Sequence, residues 1–585
     1  MSKQQIESLI QTALQSLKAS LNLPEPMPKL VIEAPKDKQH GDFATNIALV
    51  LAKQVGQNPR QVAEALIQVL PASPLISKTE IAGPGFINFF LAPHAFSQVV
   101  PEILTLKTQY GLSKNNQGKS ILLEFVSSNP TGPLHVGHGR HAAFGAVVGN
   151  LLEAVGYEVY REYYVNDAGR QMDIVAVSVW LRYLELEGDQ LTFPANGYQG
   201  SYVIDVARQL QEKWGPEFCR PVADLFHDLP PDEPQGGDKE VYIDALVIRA
   251  KELLKHRYKD VFDFALKLLV ADMRNDLEEF GVVYDRWFAE SELTTTDKVD
   301  KTIELLRKGG QVYERDGALW FRSTDFDDEK DRVLVRANGQ RTYFANDVAY
   351  HLSKFERGFN TAIGIFGADH HGYVPRMKAA MKACGIDPAR LEYLIVQFVT
   401  LYRSGKQVQM STRGGSFVPL RELRAEVGND AARFFYVMRK FEQHVDFDLD
   451  LAKSHSSDNP VYYVQYAHAR ICSVFRQLSE RGMSYNESQG LGQLLLLKEE
   501  RESGLLAALA RYPEVIRTAA EHYEPYFVTH YLRELATDFH AYYNSCQFLV
   551  EDENLRQARL ALAMATRQVL ANGLGLLGVS TPESM

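Results

Sequence analysis

A chain of 585 residues is too long for one hydrophobic core, so about two to four domains are expected. Hydrophobic residues at 45% and charged residues at 23% are ordinary for a globular protein. A net charge of −11 argues against a uniformly basic, DNA-type binder and leaves room for a local basic face.

The N-terminal stretch "MSKQQIESLIQTALQSLKAS" lacks the apolar segment of a secretory signal. Ile6, Leu9, Ile10, Ala13, Leu14 and Leu17 recur at helical spacing, which predicts an amphipathic helix packed on a domain. No run of about 18 apolar residues follows, so neither a transmembrane helix nor a membrane partner is expected. Cys219, Cys384, Cys472 and Cys546 are widely separated. That spacing suits a reducing cytoplasm, with neither a disulfide framework nor a CxxC metal site.

Residues 1–110 show helical patterns around "GDFATNIALVLAKQ" and close on "IAGPGFINFFL", which reads as one alternating, glycine-bounded strand. The polar "GLSKNNQGKS" (111–120) reads as a linker. A second block, 119–454, starts with a strand ("ILLEFV"), a glycine-rich turn, a helix ("HAAFGAVVGNLLEAVG") and a strand ("YEVYREYYV"). This is a βαβ unit, and it predicts a multidomain α/β protein with a parallel sheet. Acidic and proline-rich pieces such as "HDLPPDEPQGGDKE" mark an insertion at about 185–285. The α/β pattern resumes with "TAIGIFGADHHGY" and "LEYLIVQFVTLYR". Residues 455–585 read as all helix. From 460 on they hold ten Arg, one Lys and ten of the 28 Tyr, residue types that stack on bases and contact phosphates.

The stretch "SSNPTGPLHVGHGR" (127–140) lies where the first strand of the parallel sheet turns into a helix. Ligands of open α/β sheets bind at such carboxyl ends. Glycines there let backbone approach a phosphate, and the helix N-terminus favours an anion. His135 and His138, at i and i+3, are expected on one helical face, where two imidazoles donate to phosphate oxygens as charge builds. The alternatives at this level are simple capping or packing. Zinc lacks a third or fourth ligand at suitable spacing, and the adjacent His370 and His371 point apart, so no metal site is expected.

The segment Pro130, Thr131, Gly132, Pro133, Leu134, His135, Val136, Gly137, His138, Gly139, Arg140 resembles the HIGH signature of class I aminoacyl-tRNA synthetases. With "EYYVNDAGRQ" (162–171), "TYFANDVAYH" (342–351), "GADHHGY" (367–373) and "QMSTRGG" (409–415), the chain resembles the arginyl-tRNA synthetase family over essentially its whole length. The resemblance implies an α+β N-terminal domain that contacts tRNA, a Rossmann-like catalytic domain and an all-α, DALR-type anticodon-binding domain. It implies activation of L-arginine by ATP, release of pyrophosphate, and transfer of arginine to the 3′ end of tRNA(Arg). Mg²⁺ is implied with ATP, as is a cytoplasmic monomer. By the same resemblance Glu124 and Asp347 face the guanidinium with Tyr343 alongside, and Ser127 and Asn129 hold the amino and carboxylate groups. Gly137, His138, Gly367, Asp369, Met410 and Ser411 are expected around ATP, with Asp369 on a ribose hydroxyl.

One departure stands out. The loop signature usually written KMSKS is here "QMSTR", with Gln409 and Thr412 in place of lysines. Some arginyl enzymes without that lysine carry one just before the HIGH motif, where this chain has Gly132. Arg413 and Lys406 are therefore the candidates for the positive charge opposite the leaving pyrophosphate. Two other readings share these features: a class I enzyme for another amino acid or a small adenylyl transfer, and a non-catalytic tRNA-binding paralogue.

Overall fold

The N-terminal pattern folds as expected into a helix, Lys3–Leu17, whose Ile6, Ile10, Ala13, Leu14 and Leu17 are buried. This computed structural model describes residues 3–33, 35, 38–92, 95–370, 372–408 and 417–585. The helix packs with Ile47–Val55 and Pro59–Val69 against a four-stranded antiparallel sheet, ordered 32–33, 43–45, 86–91, 76–82. "IAGPGFINFFL" is not one strand. Gly83 at φ 54° and Gly85 at φ 149° flank Pro84 and reverse the chain, so Ile76–Ala82 pairs with Phe86–Leu91 as a hairpin.

The central sheet has five parallel strands, ordered 391–396, 361–367, 120–125, 158–165, 286–289. The chain begins in the middle with Ser120–Phe125, builds outward to 286–289, then crosses back to the other side. The switch point therefore lies between Ser120–Phe125 and Thr361–Gly367, where a doubly wound sheet binds its ligand. Ile121, Leu122, Leu123 and Phe125 are all buried, as both faces of a parallel strand should be. "LEYLIVQFVTLYR" splits into two strands. Leu391–Val396 joins the parallel sheet, and Val399–Arg403 joins a separate sheet between Lys406–Gln407 and Val445–Asp448.

Between 165 and 286 the chain is helical. Arg170–Leu186, Ser201–Trp214, Lys239–Leu254 and Arg257–Glu279 enclose their own core around Val175, Trp180, Leu210, Leu246 and Val261. Past 448 no strand occurs among the described residues. The last helix, Glu553–Leu577, is long and apolar enough to cross a membrane by composition alone, yet 61% of its most apolar window is buried. It is the core helix of the tail. It also runs through Gly573 and Gly575. Gly573 sits where a Cβ would lie 2.6 Å from Leu532, and the true stop is Gly578 at φ 67°.

The tail is not a separate bead. Its core is continuous with that of the parallel sheet. The Tyr110 hydroxyl donates to the Leu509 carbonyl at 3.0 Å, and Asn150 Nδ2 to that of Leu576 at 2.9 Å. The buried Arg433 guanidinium donates to Leu577 at 2.9 Å and to Phe280 at 2.7 Å.

Candidate active site

Strand Ser120–Phe125 ends in strain. Val126 and Ser127 have φ of 69° and 41°, left-handed values that a β-branched valine rarely adopts. The neighbouring strand over-determines this turn. Ser127 Oγ accepts from the Tyr164 N–H at 3.1 Å and donates to Glu124 Oε1 at 3.2 Å. The Tyr163 hydroxyl accepts from the Ser128 N–H and donates to the Ser128 carbonyl, both at 3.0 Å. Strain held this firmly marks a functional turn.

The glycine-rich stretch then opens helix Val136–Ala154. His135 is not a helical residue, as the i, i+3 reading expected, but the N-cap in extended conformation. Its Nδ1 accepts from the N–H groups of Gly137 at 3.1 Å and His138 at 3.4 Å. His138 Nδ1 accepts in return from the His135 N–H at 3.3 Å. This is a capping box made of two imidazoles. Burial pushes both rings below the usual histidine range, His138 furthest, so both are neutral. A neutral ring whose Nδ1 accepts carries its proton on Nε2. Each ring thus keeps one donor, Nε2–H. Gly137 must be bare, because a Cβ there would lie 2.9 Å from the His135 ring.

The residues after the QMSTR loop run beside this helix start. The Val136 N–H donates to the Val418 carbonyl at 3.1 Å, the Leu420 N–H to that of Leu134 at 2.7 Å, and Phe417 meets the His135 ring edge-on at 6.0 Å. A Cβ on Gly139 would lie 2.6 Å from Leu420. Met410, Ser411 and Arg413 themselves lie outside the described residues, as does His371. Lys406 is exposed on the short strand before the loop. Arg140 belongs to the signature but not to its chemistry. It is buried and donates to the carbonyls of Gln397 at 2.6 Å, Phe398 at 3.3 Å and Lys440 at 3.0 Å.

Across the switch point, strand Thr361–Gly367 delivers Asp369 in a short turn, with its carboxylate exposed. Gly367 is bare for a reason: a Cβ there would lie 2.6 Å from Asp369 Oδ1. His141 stands close by, and its burial, then the neighbouring Arg140 charge, push it down to about 4.

The third wall is helix Tyr343–Glu356, capped by Thr342. Tyr343 is exposed at its first turn, and Asp347 is half-buried one turn on. Burial, then the charges of Glu290 and Glu124, push the Asp347 carboxyl up to about 7. Glu290, which sequence reading missed, is buried, accepts from Asn346 Nδ2 at 2.9 Å, and is likewise pushed up by burial. Among the described residues, neither Asp347 nor Glu290 forms an ion pair. Glu124 Oε2 lies 2.5 Å from Lys354 Nζ, with both side chains buried, and its charge also acts on Asp347. Lys354 was also missed, although it continues the spacing 343, 347, 350, 354 along one helical face. Asn129 is exposed, and its carbonyl accepts from the Thr131 N–H at 2.8 Å.

The arrangement offers two neutral N–H donors at a helix N-terminus, an exposed carboxylate across the switch point, and two carboxylates, Asp347 and Glu290, that form no ion pair among the described residues. Comparison with known proteins agrees. The Arginyl tRNA synthetase N terminal domain family matches residues 4–91. The catalytic domain family of tRNA synthetases class I (R) matches 99–202 and 249–447, and the DALR anticodon binding domain matches 464–585. An arginine–tRNA ligase of Thioalkalivibrio sulfidiphilus is 59% identical over 585 residues, covering 100% of both chains. One from Coxiella burnetii is 54% identical over 585 residues, again covering 100% of both. The solved arginyl-tRNA synthetase of Thermus thermophilus superposes over 100% of both chains with a TM-score of 0.74 at 22% identity, which speaks for the shared fold. The chain belongs to the arginyl-tRNA synthetase family of class I, the ATP-dependent arginine–tRNA ligases.

Proposed function

We propose that the cleft at the switch point forms arginyl-adenylate from L-arginine and ATP and passes the arginyl group to tRNA(Arg). The arginine carboxylate attacks the α-phosphate, the bond to pyrophosphate breaks, and the 3′ hydroxyl of tRNA later displaces AMP. No protein nucleophile is required. Positioning and charge stabilisation do the work. His135 and His138 donate through Nε2–H to phosphate oxygens as charge shifts onto them, aided by the helix N-terminus. Asp347 and Glu290 take the guanidinium, with Tyr343 over its open side, because a planar cation is held best by carboxylates in its plane. Ser127 and Asn129 hold the amino and carboxylate groups. Gly137 and Gly367 admit the nucleotide, and Asp369 takes ribose hydroxyls. Glu124 acts from behind, through Ser127.

The observation that carries this reading is the pair Asp347 and Glu290, raised by burial and in no ion pair among the described residues, together with two neutral imidazole donors at the helix start of the same sheet. Mg²⁺ in this reading belongs to ATP. A site of histidine nitrogens with the single carboxylate Asp369 suits phosphate and ribose oxygens better than a resident Mg²⁺, which wants oxygen ligands. Met410, Ser411, Arg413 and Lys406 are the loop residues proposed to meet the phosphates. Residues 1–110 and 455–585 are proposed to grip tRNA around the catalytic block 119–454, in a cytoplasmic monomer. An ATP–pyrophosphate exchange screen over the twenty amino acids, with tRNA present, should respond to arginine alone, and purified tRNA(Arg) should be arginylated. Exchange with another amino acid, or none at all, would overturn the proposal.

A further inference from the structure

The signature turn is held from three sides. Strand Glu158–Val165 holds Ser128 through Tyr163, and the residues after the QMSTR loop hold Leu134 and Val136. The third hold comes from the helical insertion. The Tyr202 hydroxyl donates to the Thr131 carbonyl at 2.7 Å. Its ring lies in a slot made by two glycines. A Cβ on Gly132 would lie 2.8 Å from the ring carbon bearing the hydroxyl, and a Cβ on Gly200 would lie 2.3 Å from the ring edge. Gly200 has φ −61°, and Gly132 is not among the residues with positive φ. Neither glycine is there for backbone freedom; both are bare to admit the ring. Tyr202 is the second residue of helix Ser201–Trp214, whose Val203, Val206 and Leu210 are buried in the insertion's own core. The match to the family's catalytic domain breaks off after residue 202 and resumes at 249.

We propose that Tyr202 is a positioning residue for adenylate formation. Through it the helical insertion fixes the signature turn, and with it His135 four residues on. The ring also closes position 132 to any side chain, a lysine included. The inference rests on the reading of residues 130–140 as the adenylate-forming site.

The test uses the full-length protein with tRNA, arginine and ATP, and reads pyrophosphate exchange together with the thermal midpoint. Tyr202→Phe keeps the ring and removes one hydrogen bond. It should lower kcat about five- to tenfold, with the arginine KM and the midpoint little changed. Gly132→Ala should lower kcat at least as much, because the new Cβ meets the ring. In a Tyr202→Ala background the same Gly132→Ala should cost nothing further, since the slot is then empty. An unchanged kcat in Tyr202→Phe, or a Gly132→Ala loss of equal size in both backgrounds, would overturn the inference. His138→Ala in the same assay separates the two readings. If it retains full exchange, the assignment of the signature itself fails, whatever Tyr202 does.

Discussion

The rings of His135 and His138 stack with centroids 3.6 Å apart, and each caps the other's backbone through Nδ1. Capping and chemistry are therefore one arrangement. The cap fixes the tautomer, and the tautomer leaves Nε2–H as the donor. His138→Ala should lower the exchange kcat by about 10²-fold, the scale of one lost transition-state donor, while arginine KM moves little. Loss of the cap should cost about 1 kcal/mol of stability. Because both rings are already neutral, activity should not fall as pH rises through the usual histidine range near 6.5. A loss of activity there would show that a protonated imidazole is needed.

Asp347 sets a pH dependence of the opposite kind. Burial, then the charges of Glu290 and Glu124, push its carboxyl up to about 7, and a guanidinium needs it ionised. Arginine KM should therefore rise as pH falls below about 7, and binding near neutrality should release a proton. Asp347→Asn should raise arginine KM about 10²-fold with a small change in ATP KM and should flatten the pH dependence. The stability sign follows. A carboxyl raised from 3.8 to about 7 binds its proton more tightly when folded, so the native state loses stability as pH rises from about 4 to 7 and stays penalised above. The Asn variant should gain thermal stability over the parent at pH 8 and lose that advantage below pH 4. Equal KM changes for arginine and ATP would mark Asp347 as structural.

The buried pair Lys354–Glu124 predicts a non-additive response. Lys354→Met leaves Glu124 buried without its cation and should cost about 3–5 kcal/mol. Adding Glu124→Gln removes the orphaned charge and should restore much of that loss, as thermal or denaturant unfolding would report. Additive losses would mean that the two groups are not energetically paired.

Val126 offers a test of strain. An ordinary valine-to-glycine change in a sheet destabilises, but at φ 69° glycine is the residue that fits. Val126→Gly should leave stability unchanged or raise it by about 1 kcal/mol, offsetting the usual entropy cost. A loss above about 2 kcal/mol would show that the side chain's packing outweighs the strain.

The parallel sheet and the position of the signature turn could be read from the sequence because both are local. Four apolar residues in Ile121–Phe125, glycines next, then a helical run announce strand, turn and helix. Glu290, Lys354 and Tyr202 could not be found that way. Their meaning lies in partners 56, 230 and 71 positions distant, and no periodicity marks such pairs. Lys354 alone left a trace, in its helical spacing from Asp347. Gly132 and Gly573 are opaque for the same reason, since a glycine kept bare for a neighbour's ring or methyl looks the same in sequence as one kept for a turn.

Arg433 leads to the last prediction. Its guanidinium meets the tail at Leu577 and the end of the insertion's last helix at Phe280 and Gly281. Asn150, on the signature helix, holds Leu576 next to it. Cutting the chain at 454 would open the shared core, so truncation cannot ask what the tail does for the chemistry; a point change can. Because tail, insertion and signature helix share one core, bound tRNA is expected to complete the arginine-activating site. With tRNA lacking its reactive 3′ hydroxyl, exchange should switch on in the parent protein and stay near zero without it, a form of induced fit. Arg433→Met removes the hydrogen bonds that join tail, insertion and catalytic block, while keeping an apolar stem of similar length. It should lower the exchange plateau at saturating tRNA about three- to tenfold and leave the tRNA concentration at half-saturation nearly unchanged. The midpoint of thermal unfolding should fall by several degrees, because two buried carbonyls, Leu577 and Phe280, and the part-buried Gly281 carbonyl lose their donor. If instead the plateau holds and half-saturation moves to higher tRNA, the tail contributes affinity alone, and the switch on arginine activation runs through another part of the molecule.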